Sequence, residues 1–280
     1  MLPDGIEALI DLALKEDLGD GDHTTLATIP ADARKGARLL VKEQGVLAGV
    51  DLAITIARHF DPQLDLRIFI QDGAAVEPGD VAFTMAGPAR SILTIERLIL
   101  NFMQRMSGIA TLTRRFVEAV EGTGCKVLDT RKTTPGMRAV EKWAVRIGGG
   151  HNHRQGLFDM IMIKDNHIDM AGGVQEAIIA ARAYLDRHAL QLPIEVETRD
   201  LREVRIVLET GGVQRIMLDN FTPEKLGEAV DYINGHCETE ASGGIHLGTV
   251  RAYAETGVDM VSVGQLTHGA PSLDLSLKAL

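Results

Sequence analysis

From residue 125 onward the chain repeats one pattern: a short apolar run, a polar or glycine exit, then a stretch with helical spacing. The apolar runs are Cys125–Asp129, Met160–Lys164, Ile194–Glu197, Arg215–Asp219, Cys237–Ala241 and Met260–Gly264. Helical spacing appears at Val174–Ala183, Leu201–Glu209, Pro223–Ile233 and Leu247–Glu255. Apolar strands joined by helices predict a parallel sheet with right-handed crossovers. The strands exit into Arg131, Lys164, Glu197, Asp219, Ser242 and Gly264. A β/α barrel gathers such exits at one end, where barrels hold their sites, whereas a doubly wound open sheet divides them across a switch point. Six exits with chemistry on them favour the barrel, and six strands predict an incomplete one.

The first part of the chain reads differently. Residues 1–108 are expected to form an α+β, sandwich-like domain, and residues 109–280 the six-stranded β/α barrel. Ile6, Leu9, Ile10, Ala13 and Leu14 follow helical spacing, with Asp4 and Glu7 placed as a capping box. Leu64, Leu66, Ile68 and Ile70 alternate as in a half-buried strand, and Asp51–His59 reads as a helix stopped by Pro62. Ser91 is placed to cap a helix over Ile92–Met106 ending near Ser107-Gly108, with a second helical run from Ile109 to Val120.

Residues 127–168 hold the densest chemistry. Seven Lys or Arg and three His fall here, in a chain whose formal net charge is -10. A cationic island on an acidic protein suits a small anion better than a nucleic acid, which needs a broad positive field. Aromatic residues make up only 4% of the chain, which also argues against stacking on single-stranded bases. Gly148-Gly149-Gly150 allows close backbone approach to a ligand. Glu197 and Asp219 are hard oxygen donors suited to Mg²⁺ or sugar hydroxyls. Ser242-Gly243-Gly244 and Val263-Gly264 occupy the usual phosphate position of barrels, the ends of the last strands. No GxxxxGK[ST] pattern occurs, so an ordinary nucleoside triphosphate loop is not expected. The acidic loop Glu16–Asp22 invites a calcium reading, but counted from Asp20 the pattern fails, because Thr25 stands where the required Gly should be.

The runs DTRKTTPGMRAVEKWAV, GGGHNHRQGL and IKDNH, in this order, resemble the quinolinate phosphoribosyltransferase family, and further matches flank them over essentially the whole chain. EDLGDGDHTT is similar to the family's opening sequence, with a structural role. The resemblance implies transfer of phosphoribosyl from phosphoribosyl pyrophosphate to the ring nitrogen of quinolinate, with decarboxylation to nicotinate mononucleotide, a precursor of NAD. It implies Arg97, Thr130, Arg131, His153, Arg154 and Lys164 for quinolinate. For phosphoribosyl pyrophosphate it implies Lys132, Glu197, Asp219, Ser242, Gly243, Gly244, Val263, Gly264, Gln265 and His268. Catalysis would fall to Lys132, Lys164, Glu197 and Asp219, with Mg²⁺ on Glu197 and Asp219 and no organic cofactor. Gln265 departs from the family, which more commonly has a small residue there. Arg97, in ERLILNFMQRMSGIAT, matches the arginine that reaches a neighbouring subunit's site, so the resemblance implies a homodimer with shared sites, or a higher oligomer.

Met1-Leu2-Pro3-Asp4 lacks the basic and apolar regions of a signal peptide, no apolar run reaches membrane-spanning length, and Cys125 and Cys237 form no metal or disulfide pattern. A cytoplasmic protein is expected, with neither nucleic acid nor membrane as partner. The competing readings are a transferase acting on nicotinate, a molybdenum-transport-associated paralogue, a non-catalytic sensor of sugar phosphates, and a lyase using Lys164 as a Schiff-base amine. An arginine set suited to two carboxylates disfavours the first, and the intact KDNHI disfavours the second.

Overall fold

The computed structural model describes residues 2–280. The elements in chain order begin with α1 (Ile6–Leu18), α2 (His23–Thr28), β1 (Arg34–Val41), β2 (Gly45–Val46), α3 (Val50–Phe60), β3 (Asp65–Ile68), β4 (Ala75–Val76), β5 (Val81–Pro88) and α4 (Ala89–Ala119). They continue with β6 (Lys126–Leu128), α5 (Arg138–Ile147), β7 (Ile161–Ile163), α6 (Asp165–Ala171), α7 (Val174–His188), β8 (Ile194–Thr198), α8 (Leu201–Thr210) and β9 (Arg215–Asp219). The chain closes with α9 (Pro223–Ile233), β10 (Glu238–Ser242), α10 (Val250–Ala254), β11 (Met260–Ser262), α11 (Gln265–His268) and β12 (Leu275–Ala279).

Two compact units result, and neither is one continuous stretch. The first comprises Met1–Arg114, Thr133–Gly149 and Leu266–Leu280; the second comprises Arg115–Lys132 and Gly150–Gln265.

The first unit is built on an antiparallel sheet of order β12-β1-β5-β3. Alternation along β1 buries Ala37, Leu39 and Val41, and α3 buries Val50, Leu52, Ala53, Ile56 and Ala57. Three expectations need correction here. Asp4 does not cap α1: Gly5 stands at the N-cap with φ 79°, and no side chain bonds there. Ser91 does not start α4, which begins at Ala89 directly after β5; its hydroxyl donates instead to Asp61 Oδ2 at 2.6 Å. Nor does the helix break at Ser107-Gly108. The two expected runs are one 31-residue helix, in which Gly108 serves close packing: a Cβ there would lie 1.8 Å from the Pro271 carbonyl oxygen. The Ser107 hydroxyl accepts from Ala48 N–H and donates to Ala48 O, so Ser91 and Ser107 both tie the helix to neighbouring segments. The acidic stretch before α2 is a cap, with the Asp22 carboxylate accepting from Thr25 N–H at 3.0 Å and from the Thr94 hydroxyl at 3.1 Å.

The second unit holds a parallel sheet of order β6-β11-β10-β9-β8-β7. From β7 to β11 each strand takes the next place in the same direction. Right-handed crossovers then put every connecting helix on one face and wrap the sheet around the other, until the last strand, β11, lies beside the first. This is the incomplete six-stranded β/α barrel, open between β6 and β7. Period-two alternation sorts its side chains. Ile194 and Val196, Ile216 and Leu218, Thr239 and Ala241 share one face, while Glu195 and Glu197, Arg215 and Asp219, Glu240 and Ser242 share the other.

Candidate active site

Strand ends deliver the carboxylates. β7 ends at Ile163, and Lys164 follows it with its N–H donated to Nδ1 of His167 at 2.9 Å, which fixes the first turn of α6. The Lys164 ammonium lies 2.5 Å from Glu197 Oε2 on β8. Asp219 is the last residue of β9 and is in register with Ser242 on β10. Burial, and then the Glu197 charge, raise the Asp219 pKa above the ordinary carboxylate value, while Lys164 and a Ser242 hydrogen bond pull it back. A Cβ at Gly243 would stand 2.2 Å from Asn220 Oδ1, and its φ is +96°, so glycine alone fits there. Asn220 N–H donates to Ser242 O at 2.8 Å, locking the β9 and β10 exits together.

The arginines are set by a buried acid. Asp129, with none of its surface exposed, accepts from His153 N–H at 2.9 Å and from Asn152 Nδ2 at 2.5 Å, and its own N–H donates to His151 O. His151 also makes a parallel bridge to Leu128, so the chain passes alongside β6 at that point. Arg154 is thereby brought near Arg131. Burial, followed by the Arg131 charge, lowers the Arg154 pKa. Arg154 Nη1 donates to Met160 O at 3.3 Å, and Arg131 Nε is buried with no hydrogen-bond partner. Two guanidiniums that repel each other, one with an unused buried donor, are stabilised by a carboxylate that accepts from both. Lys132 is exposed, and its N–H caps Thr130 Oγ1 at 3.0 Å.

His153 faces a different way. Its ring is almost fully buried, with Nε2 at 3.0 Å from Glu195 Oε2 and 3.4 Å from Glu240 Oε2, while Nδ1 receives the Arg154 N–H at 2.6 Å. The contacts to the acids are at ion-pair distance but off the line of a linear hydrogen bond. Burial lowers the ring's pKa, but the two carboxylates outweigh it and raise it to about 9. Burial, and then the Glu240 charge, push the Glu195 pKa up.

Not every expected residue joins this group. The Val263 N–H is spent on Leu128 O at 2.9 Å, so it does not face an anion. The helix expected from Leu247 begins at Val250, too late to aim its N-terminus at Gly244. Gln265 is exposed at the start of α11. Arg97, exposed on α4, and His268, exposed on α11, belong to the first unit. In that unit a buried carboxylate organises the Thr133–Gly136 turn: Glu141 accepts from Thr134 N–H at 3.0 Å, from its hydroxyl at 2.8 Å and from Arg105 at 2.8 Å. Arg105 also donates to the carbonyls of Ala270 and Thr267. Sequence reasoning missed Asp129, Glu141, Glu195 and Glu240. The period that places Glu197 inside the barrel was the available signal for Glu195.

A parallel β/α barrel with paired arginines and paired carboxylates at its strand exits defines an enzyme for small polyanionic substrates. The family models for the quinolinate phosphoribosyl transferase N-terminal and C-terminal domains match residues 22–107 and 109–278. A Nicotiana tabacum protein named quinolinate phosphoribosyltransferase [decarboxylating] 1b is 49% identical over 98% of this chain and 82% of its own length. A chloroplastic nicotinate-nucleotide pyrophosphorylase [carboxylating] of Oryza sativa subsp. japonica is 49% identical, over 98% and 77%. The crystal structure of NadC from Streptococcus pyogenes superposes with a TM-score of 0.93 at 40% identity, covering 100% of this chain and 99% of that one. The chain belongs to the quinolinate phosphoribosyltransferase family.

Proposed function

We infer that this enzyme transfers phosphoribosyl from phosphoribosyl pyrophosphate to the ring nitrogen of quinolinate and decarboxylates the adduct, giving nicotinate mononucleotide, pyrophosphate and CO₂ for NAD biosynthesis. The observation that supports it best is the Arg131–Arg154 pair with its unused buried donor, in the same unit as the Lys164–Glu197 pair and Asp219 at the strand exits. Forked arginines grip the two ring carboxylates and so set the ring's orientation as well as its position. The ring nitrogen's electron pair forms the bond to the sugar carbon as the bond to pyrophosphate breaks. Glu197 and Asp219 supply negative charge beside the sugar as it becomes cationic. The carboxylate next to the nitrogen then leaves as CO₂, its bonding electrons are stabilised by the pyridinium, and a proton fills that carbon. Lys132 and Lys164 are the cations available to orient or protonate at this step.

Glu197 and Asp219 suit Mg²⁺, which takes one or two carboxylates plus substrate phosphate oxygens. One oxygen of Glu197 is engaged by Lys164 and one of Asp219 by the Asn220 amide, so each carboxylate would offer the ion its other oxygen. Bound with the pyrophosphate, Mg²⁺ would neutralise the leaving group's charge. Ser242, Gly243, Gly244 and Gly264 would hold the phosphorylated sugar. Arg97 and Leu93 are both exposed on α4, which supports a homodimer in which Arg97 serves a neighbouring copy's quinolinate. Cys125 and Cys237 are free thiols, and no helix of the described residues is long and apolar enough to cross a membrane, consistent with a cytoplasmic enzyme.

The test is incubation with quinolinate, phosphoribosyl pyrophosphate and Mg²⁺, following CO₂ and mononucleotide by mass, with nicotinate in parallel. Equal amounts of CO₂ and mononucleotide from quinolinate alone are expected. Turnover of nicotinate only would overturn the reading of the arginine pair.

A further inference from the structure

The barrel interior contains a second charged group that touches none of the groups assigned to the reaction except through one backbone contact. Alternation along β8 puts Glu195 on the same face as Glu197, and the strand register sets it opposite Arg215 of β9. Glu240 of β10 completes the set, with Arg215 Nη1 at 3.1 Å from its Oε2 and His153 Nε2 at 3.4 Å from the same atom. Both carboxylate side chains are wholly buried. Apolar side chains of like volume would fill this space without the cost of desolvating four ionisable groups, so stability does not account for them. What the cluster does provide is a ring that cannot turn. The ring's outward atom, Nδ1, receives the Arg154 N–H, while Asp129 holds the N–H of His153 from the opposite side.

We propose that Glu195, Glu240 and Arg215 are positioning residues for Arg154, acting through the clamped His153 ring to set where its guanidinium meets the substrate's carboxylate. The proposal rests on the reading of Arg154 as a quinolinate-binding arginine. It also explains why His153, though part of the basic segment, turns inward. The His153, Glu195 and Glu240 ligand atoms lie within 4.8 Å of one another, a spacing that would also suit a divalent ion. Arg215, in contact with Glu240, already supplies positive charge there, so the cluster is better read as a positioning set.

The experiment is steady-state kinetics of Glu240→Gln, which keeps the side chain's shape, with each substrate varied in turn. The expected result is a quinolinate KM raised about tenfold or more, with kcat and the phosphoribosyl pyrophosphate KM within about twofold of the parent. Glu195→Gln is read the same way if Glu240→Gln does not fold. Arg154→Ala and the double variant Arg154→Ala/Glu240→Gln accompany it. Because Glu240 acts through Arg154, the double variant is expected to match Arg154→Ala alone. An unchanged quinolinate KM in Glu240→Gln, equal rises in both KM values, or additive losses in the double variant would overturn the positioning role while leaving Arg154's role intact. An unaltered quinolinate KM in Arg154→Ala would overturn both. One tightly bound transition-metal ion per chain, lost on Glu240→Gln, would overturn the positioning set in favour of a metal site.

Discussion

The Lys164 ammonium stands 2.5 Å from the Glu197 carboxylate, joining the exit of β7 to the exit of β8. Each strand end is rigid, and His167 fixes the Lys164 backbone, so the pair is held by the sheet rather than by a mobile loop. Lys164→Ala removes a charge-assisted contact of about 1.5–3 kcal/mol and leaves Glu197 facing Asp219 without a cation between them. The expected outcome is a drop in kcat/KM for quinolinate of about 10- to 100-fold, read by initial rates. Lys164→Arg, which keeps the charge, recovers part of the loss.

Glu141 is the corresponding fixed point of the first unit. Its carboxylate is fully buried and serves Arg105, the Thr134 N–H and the Thr134 hydroxyl at once. Glu141→Ala strands the Arg105 charge and frees the Thr133–Gly136 turn, at a cost of about 3–5 kcal/mol. Denaturant unfolding should show a lowered midpoint with an unchanged slope. Glu141→Gln, which retains an acceptor, should lose less.

The barrel was legible because its signals are repeated: six apolar runs, each followed by a chemically distinct exit, leave few other topologies. β9 and α9 fall at the bounds the periodicity predicts. What depends on distant partners was not legible. Gly108 reads locally as a helix stop, yet its role is set by Pro271. β12 is a short alternating run whose strand character comes from pairing with β1, far away in the chain. The same holds inside the site. Arg131, Lys164, Glu197 and Asp219 stand out in the sequence as strand exits, and Arg154 by its place after the glycine run. The inward turn of His153 was hidden, because it depends on two acids from other strands.

Asp22 gives a pH-dependent stability contribution whose sign follows from its contacts. Hydrogen bonds from Thr25, first through its side chain and then its backbone, hold the Asp22 pKa below its ordinary 3.8. A carboxyl with a lowered folded-state pKa stabilises the fold above the unfolded value and loses that contribution as pH falls through the folded one. Asp22→Ala should therefore cost about 1 kcal/mol at neutral pH, the usual worth of an N-cap. Thermal melts of the two proteins should converge as the pH drops below about 4.

Two glycines in helices separate close packing from simple flexibility. At Gly108 the space for a methyl group is filled by the Pro271 main chain, with a Cβ-to-oxygen approach of 1.8 Å, and backbone cannot swing away as a side-chain tip can. At Gly227, inside α9, nothing lies within 4 Å of the same added carbon, and its φ is not in the left-handed region. Helix propensity alone favours alanine over glycine by about 1 kcal/mol. Gly227→Ala should therefore raise stability by up to about that amount. Gly108→Ala faces the same gain but must displace α4 or the Pro271 segment, and overpacking of this kind costs about 1–3 kcal/mol, at the upper end where backbone must move. Denaturant midpoints of the two variants should move in opposite directions. If Gly108→Ala were as stable as the parent, the helix would have room to shift, and the close contact would not explain why a glycine sits in the middle of a 31-residue helix.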